Sequence, residues 1–261
     1  MLDRKGCSNP RRRQISSIGI QLYSVRDVFE ADPEGTIRQL AGMGFKEIES
    51  YERNNDMFWG MTNKRFSVLA NDLGMSLVSS HCEVEKDFEK KAELAAGIGM
   101  KYLVFNWPFS RQPLDEYRKK ADLFNRCGEI CKKAGLRFAY HNYSSSYQIV
   151  EGVFPQDLLM DRTDASLVFH QMDIFWVARA GQDPAEWLAK YPKRFTLCHI
   201  KDGNDKETTL LGTGNVALKK ALTMAIDNGM DHFFVEQEDY RQINSMEAAG
   251  RNFQWVNALK L

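Results

Sequence analysis

The sequence predicts an α/β protein that closes as a single (β/α)8 TIM barrel. Short β-branched and aromatic segments alternate with longer segments of helical periodicity, and this alternation repeats eight times along the chain. The 261 residues lie in the size range in which such barrels form one domain. We therefore expect one barrel domain over residues 15–261, preceded by a flexible N-terminal arm over residues 1–14.

Glycine signals typical of helix C-termini precede several of the predicted strands. The strands are expected at 15–23, 45–51, 75–81, 101–107, 136–142, 166–173, 194–200 and 232–238. Glycine-containing segments that are typical of helix C-caps stand at 42–45, 73–75, 97–100, 133–136 and 228–230. An open sheet would leave edge strands, and these segments carry no edge-protecting charges. Closure into a barrel is therefore favoured.

Composition excludes several classes of partner. The 35 basic residues balance 35 acidic ones, so there is no net field to attract nucleic acid or an anionic membrane surface. No segment approaches the roughly 18 apolar residues needed to insert in a bilayer. The five cysteines are scattered and odd in number, which predicts reduced thiols. A homo-oligomer is possible, and localisation stays open: cytoplasmic for a complete chain, periplasmic if a signal segment was removed.

Polar side chains stand near the end of every predicted strand. They are Gln21, Glu49, His81, Asn106, His141, Asp173, His199 and Glu236. The C-terminal strand ends of a barrel meet at one mouth, where active sites form. Asp173, His199 and Glu236 combine oxygen and imidazole ligands that suit one divalent ion such as Mn, Mg, Co or Zn. Taken singly, each has a structural interpretation, for example Asp173 as a helix N-cap.

Several motifs resemble a known family. They are IGIQLYSVRD (18–27), GFKEIES (44–50), YHN (140–142), the segment 171–195 beginning QMDIFWVARAG, HIKD (199–202), LGTGNV (211–216) and FVEQE (234–238). Together they resemble the xylose-isomerase-like barrels, in the sugar phosphate isomerase/epimerase group related to tagatose and psicose 3-epimerases.

The resemblance implies one metal ion held by a glutamate, an aspartate, a histidine and a second glutamate. The last three correspond to Asp173, His199 and Glu236. The first position departs from the family, because the fifth strand ends in Tyr140, His141 and Asn142 without a carboxylate. We expect His141 to be the fourth ligand, with Asn142 as the alternative if the strand register is shifted by one residue.

The resemblance implies a metal-dependent sugar isomerase or epimerase that abstracts a proton next to a carbonyl. Glu236 and His141 are the expected catalytic groups, and Lys201 would stabilise negative charge or protonate a leaving group. Without the first glutamate, an alternative is a lyase or hydratase that acts by β-elimination on a keto-sugar or keto-glycoside, which needs one base and one acid. A lesser alternative is a non-catalytic carbohydrate-binding barrel.

The expected partner is a small-molecule sugar or sugar derivative. Predicted substrate-binding residues are Gln21, Glu49, His81, Asn106 and Trp176. The MFWG segment (57–60) is a candidate lid. The segment 211–215 is interpreted either as a phosphate loop or as a helix cap at Asn215.

DNA-repair endonucleases share this barrel type but hold three zinc ions. The five histidines here are too few for such a site, and Trp176 stands where those nucleases have a further histidine.

Overall fold

The computed structural model describes residues 14–107, 110–240 and 243–261. The predicted N-terminal arm therefore lies outside the described residues, apart from its last residue. Eight parallel strands form a closed barrel, which confirms the predicted (β/α)8 architecture. The first and last barrel strands along the chain pair with each other and close the barrel.

The strands agree with the predicted ones except at their ends. The barrel is built from β1 (Ile18–Gln21), β2 (Glu47–Tyr51), β3 (Ser76–His81), β4 (Tyr102–Asn106), β5 (Arg137–His141), β6 (Val168–Asp173), β7 (Phe195–Ile200) and β10 (His232–Val235). A small hairpin, β8 (Asp202–Gly203) and β9 (Thr208–Thr209), follows β7. The predicted first strand ends early because Leu22–Val25 forms a 3-10 turn. The predicted last strand also ends early, at Val235.

Helices connect the strands and cover the barrel. They are α1 (Arg26–Phe29), α2 (Pro33–Met43), α3 (Asn63–Asp72), α4 (Phe88–Ala96), α5 (Leu114–Lys133), α6 (Pro155–Arg162), α7 (Ile174–Arg179), α8 (Pro184–Lys190), α9 (Leu218–Asp227) and α10 (Ser245–Ala258). The five predicted glycine helix ends adopt left-handed backbone at Gly44, Gly74, Gly99, Gly135 and Gly229. No helix among the described residues is long and apolar enough to cross a membrane.

The barrel interior is layered, because alternate residues of each strand point inward. An apolar layer contains Val78, Tyr102, Val104, Ala139, Leu197 and Phe234. Gly19 leaves room for it, since a Cβ at this position would lie 2.4 Å from the Phe234 ring. Two residues further along β5, β7 and β10 come His141, His199 and Glu236. The apolar layer thus forms the floor beneath a polar layer at the C-terminal mouth.

Candidate metal centre

Four side chains converge at the mouth from consecutive barrel strands. Ligand-capable atoms of His141, Asp173, His199 and Glu236 all lie within 4.8 Å of one another. Asp173 and His199 are paired across β6 and β7, and Glu236 follows β10 with its amide bonded to the Ile200 carbonyl. All four side chains are buried. We call this set the four-ligand cluster.

Several buried atoms of the cluster lack hydrogen-bond partners among the described residues. They are both ring nitrogens of His141 and Nδ1 of His199. His199 Nδ1 lies 2.8 Å from Glu236 Oε2, yet the two are not aligned as donor and acceptor. Buried polar atoms are costly to leave unpaired. Two imidazoles and two carboxylates are also a donor set that divalent ions accept, so the residues fit a metal ion.

The structure brings His141, rather than Asn142, into the cluster. The Asn142 amide is committed to the backbone of Asp173, from whose N–H it accepts at 3.1 Å and to whose carbonyl it donates at 3.3 Å. The His141 Nε2 lies 3.6 Å from Asp173 Oδ2. The alternative register, in which Asn142 would face the metal, is therefore not the one observed.

His199 is held between two carboxylates. Its Nδ1 faces Glu236 in the cluster, and its Nε2 lies 2.5 Å from Glu49 Oε1 on the opposite side. Glu49 also accepts hydrogen bonds from Gln21, Ser79 and Gln171 at 2.7–3.0 Å. With the Nε2 proton donated to Glu49, Nδ1 is left as the nitrogen that can bind a metal ion.

Lys201 lies beneath the same carboxylates. Its ammonium is buried and lies 3.0 Å from Asp173 Oδ2, 2.7 Å from Glu236 Oε2 and 2.5 Å from Glu238 Oε1. The Trp176 ring covers it, with the ammonium 5.3 Å from the ring centroid. Lys201 therefore neutralises part of a cluster of three acidic side chains.

Burial and neighbouring charges shift the pKa values of these groups. Burial lowers the pKa of the His141 ring to about 4, although Asp173 opposes the shift. Burial would raise the pKa of Glu49, but His81 and His199 hold it well below its ordinary value. Burial likewise opposes ionisation of Glu236, whose pKa Lys201 and His199 nevertheless hold low. For Glu238 the effect of burial prevails and raises the pKa.

A cavity of about 990 Å³ opens above the cluster. Its wall includes five of the polar strand-end residues predicted from the sequence, namely Gln21, His81, Asn106, His141 and Glu236. Glu49 and Trp176, also predicted to bind substrate, do not line the cavity: Glu49 is fully buried and Trp176 lies over Lys201. These two side chains support cavity residues from behind.

Comparison with known proteins gives the following matches. No protein-family model matches the chain. The inosose dehydratase of Clostridium perfringens (strain 13 / Type A) is 31% identical over 93 residues, 36% of this chain and 31% of that protein. The inosose dehydratase of Bacillus anthracis (strain CDC 684 / NRRL 3495) is 27% identical over 200 residues, 67% of this chain and 66% of that protein. The chain thus spans about a third of the first relative's length and just under two thirds of the second's.

Solved structures resemble this one over almost the whole chain. A sugar phosphate isomerase/epimerase from Parabacteroides distasonis ATCC 8503 has a TM-score of 0.83 at 22% identity, over 93% of this chain and 98% of that one. The IOLI protein, crystallised with a zinc atom, has a TM-score of 0.76 at 14% identity, over 92% of this chain and 96% of that one. The chain has the xylose-isomerase-like TIM-barrel fold.

The prediction of a lid at 57–60 was wrong. The MFWG segment is not a free lid, because Met57 and Phe58 are buried and the Trp59 ring packs on Phe29 and Tyr51. The long connection at 143–165 contains a 3-10 turn (Ser144–Tyr147) and the helix α6. The aromatic residues of these segments mainly stabilise the barrel.

The segment 211–215 is neither a phosphate loop nor a helix cap. Its amides surround the buried Asp202 carboxylate, which accepts from Gly212 and Gly214 at 2.9 and 3.1 Å and from Val216 at 3.2 Å. A Cβ on Gly214 would lie 2.2 Å from Asp202 Oδ1. Helix α9 begins after Ala217, so Asn215 does not cap it.

Three residues near the four-ligand cluster were missed by sequence reasoning. Gln171 and Ser79 donate to Glu49, and the amide oxygen of Gln171 accepts a hydrogen bond from His81 Nε2 at 2.8 Å. Glu238 lines the cavity and binds Lys201. The period-two spacing from Glu236 to Glu238 was the available signal for the last of these.

Proposed function

We propose that this chain is a metal-dependent lyase that removes water from a keto-polyol by β-elimination. The observation that carries the proposal is that β5 ends in His141, at the position where the family resemblance implies a glutamate. The acidic cavity residues next to the cluster, Glu236 and Glu238, both follow β10. Epimerisation by two bases needs a second base on the opposite face of the substrate, whereas elimination needs one.

The relatives support the lyase over the epimerase. Both of the relatives described above are named inosose dehydratases, and a dehydratase eliminates water. The solved structures named as isomerases or epimerases are less than 25% identical and share the fold. An epimerase, the function that the family resemblance first implied, is therefore the less supported assignment.

The proposed metal ligands are His141, Asp173, His199 and Glu236. A bound divalent ion, one of Mn, Mg, Co or Zn, would polarise the substrate carbonyl and stabilise the negative charge that develops on it. Glu49 orients the His199 ring for this role. The unpaired buried nitrogens of His141 support its inclusion.

Glu236 is the proposed general base. Its Oε2 faces His199 and Lys201, so we assign the proton transfer to its other oxygen. That oxygen takes the proton from the carbon next to the carbonyl as the carbon–hydrogen bond breaks. The electron pair forms the new double bond, the β-carbon–oxygen bond breaks, and the departing hydroxyl regains the proton as water.

Lys201 is proposed to hold the acidic groups in position. It is 1% exposed and absent from the cavity wall, so it acts on the substrate through Glu236 and Glu238 rather than by contact. Its charge offsets the mutual repulsion of these carboxylates. The role of leaving-group acid, expected from the sequence, passes in this proposal to protonated Glu236.

The substrate class is a keto-sugar, a keto-glycoside or a related cyclic ketone such as an inosose. A cavity of about 990 Å³ is at the upper end of the ~300–1,000 Å³ typical of small-molecule sites. It therefore leaves space beyond a single six-membered ring. The absence of a nucleic-acid partner stays a prediction from composition, and a homo-oligomeric state stays a separate expectation.

Mass spectrometry of the reaction mixture tests the proposal. Metal-loaded protein incubated with an inosose, or with a keto-glucoside that carries a hydroxyl on the carbon β to its carbonyl, is expected to give a product lighter by one water. Glu236→Gln should abolish this product while the protein stays folded. The matched control is Glu47→Gln, because Glu47 also pairs with a histidine, His232, but at the opposite end of the barrel. If every ketone tested gives only isomers of unchanged mass, the proposed lyase activity is rejected.

A further inference from the structure

The wall of the cavity is predominantly acidic. Among the described residues that line it, six carry carboxylates and two carry guanidinium groups. The acidic residues are Asp27, Glu30, Glu52, Glu83, Glu236 and Glu238, and the basic ones are Arg26 and Arg53. A phosphate ester carries about −1.5 to −2 charges at neutral pH, so it would be repelled by this wall unless a cation were available to pair with it.

Both arginines are already engaged. Arg26 donates to the carbonyl oxygens of Tyr23 and Glu238 at 2.9 and 2.8 Å, and its guanidinium lies over the Tyr23 ring. Arg53 forms an ion pair with Glu30. Within the part of the chain that the structure describes, the lining therefore offers no lysine or arginine free of such a contact.

The other potential phosphate donors are also occupied. The Lys201 ammonium is surrounded by three carboxylates, and the amides of the 212–216 segment are bonded to Asp202. These were the cation and the glycine loop in the sequence best suited to binding an anion. Their engagement argues for a substrate without a phosphate group.

An aromatic surface lies on the same wall. Tyr23 is 39% exposed, and among the described residues it is the aromatic side chain that is most clearly open to solvent. The Arg26 guanidinium stacks on this ring, and the Tyr51 ring contacts it at an interplanar angle of 83°. Gln21 fixes the start of this turn by accepting from the Tyr23 amide while donating to Glu49. These contacts position the ring, and its exposed part is an apolar surface on the cavity wall.

We propose that Tyr23 forms an outer subsite for an uncharged second ring, so that the substrate is a neutral keto-glycoside rather than a phosphorylated sugar. This inference rests on the proposed function, because it puts the reacting keto ring at the four-ligand cluster. The cavity volume provides for both rings. The apolar C–H face of the second ring contacts Tyr23, and its hydroxyls meet the acidic wall as hydrogen-bond donors.

Calorimetric titration of the metal-loaded protein tests the second ring. The probes are a keto-disaccharide and the matching keto-monosaccharide. We expect the disaccharide to bind about tenfold more tightly, as one well-packed aromatic contact provides. Tyr23→Ala should remove this difference, and Tyr23→Phe should retain it because the ring remains. Equal affinity for the two probes in the wild type would overturn the subsite.

The phosphate ester of the keto-monosaccharide tests the charge selection. The wild type should bind it at least tenfold more weakly than the uncharged parent, because wall carboxylates repel it. Glu30→Gln removes the ion-pair partner of Arg53 at the cavity. Its guanidinium can then pair with the phosphate, so part of the lost affinity for the phosphate ester should be recovered. Glu34→Gln is the matched control, since it releases Arg65 from a similar exposed pair that does not line the cavity. Tighter binding of the phosphate ester by the wild type would reject the inference.

These titrations are separate from the test of the lyase reaction. If the neutral disaccharide binds with the expected preference but is recovered without loss of water, the subsite stands and the proposed reaction fails. If water is lost but the monosaccharide or its phosphate is preferred, the reaction stands and the subsite fails.

Discussion

The Nε2 of His199 is hydrogen-bonded to the carboxylate of Glu49, which lies behind the four-ligand cluster and receives three further side-chain donors. Glu49 comes from β2 and His199 from β7, so the pair spans the barrel. The histidine ring is thereby oriented before any ion binds. Outer contacts of this kind fix the tautomer and the orientation of a metal-binding histidine.

Glu49→Gln is expected to weaken metal binding by about 10- to 100-fold, the usual effect of losing such an outer partner. The amide would present a donor to groups that already donate, and the His199 ring would lose its fixed orientation. Calorimetric titration of metal-free protein with Mn or Zn measures the effect. Glu47→Gln, in the second glutamate–histidine pair, should leave the affinity unchanged. Equal losses in both variants would contradict the assigned role of Glu49.

His141→Leu and Asn142→Leu should affect the stability of the metal-free protein in opposite directions. The His141 nitrogens have no hydrogen-bond partner among the described residues, so the apolar variant should leave the metal-free protein as stable or make it more stable while weakening metal binding. Asn142→Leu breaks both bonds to the Asp173 backbone and should cost about 1–3 kcal/mol. Urea unfolding and metal titration of both variants provide the measurements. A large destabilisation by His141→Leu would argue for a structural histidine.

Asp202→Ala should destabilise the protein by about 3 kcal/mol, because it leaves several backbone amides of the 203–216 segment without an acceptor. Asp183→Ala removes the N-cap of α8 and should cost only about 1 kcal/mol. Urea unfolding compares the two. A similar small loss for both would mean that water readily replaces the Asp202 carboxylate.

The four described cysteines should not react with a thiol reagent in the native protein. They are buried and reduced, and burial raises the pKa of Cys127 to about 12, so that little thiolate exists near neutral pH. In a Cys7→Ser background, dithionitrobenzoate should label none of them until urea is added, and then all four. Rapid labelling without denaturant would indicate that the helix layer opens readily.

Much of the barrel was predictable because the strand and helix patterns and the glycine helix ends repeat along the chain. The cluster residues were found for the same reason, since each stands at a strand end. The contacts behind them were not, because the β2–β3 and β6–β7 pairings each contain a register shift, beside Glu49 and Gln171. Such irregularities depend on packing between strands distant in sequence. Similarly, ion pairs such as Arg53–Glu30 form only once separate loops meet.

The most direct test of the central claim is the reaction of a keto-glycoside with metal-loaded protein in heavy water. The claim is that His141, in place of a carboxylate, leaves proton transfer to the β10 side alone. Chromatography and NMR should detect an unsaturated ketone that has lost the elements of water and no epimer of the starting ketone. A deuterated epimer that has not lost water, formed without the unsaturated product, would contradict the account.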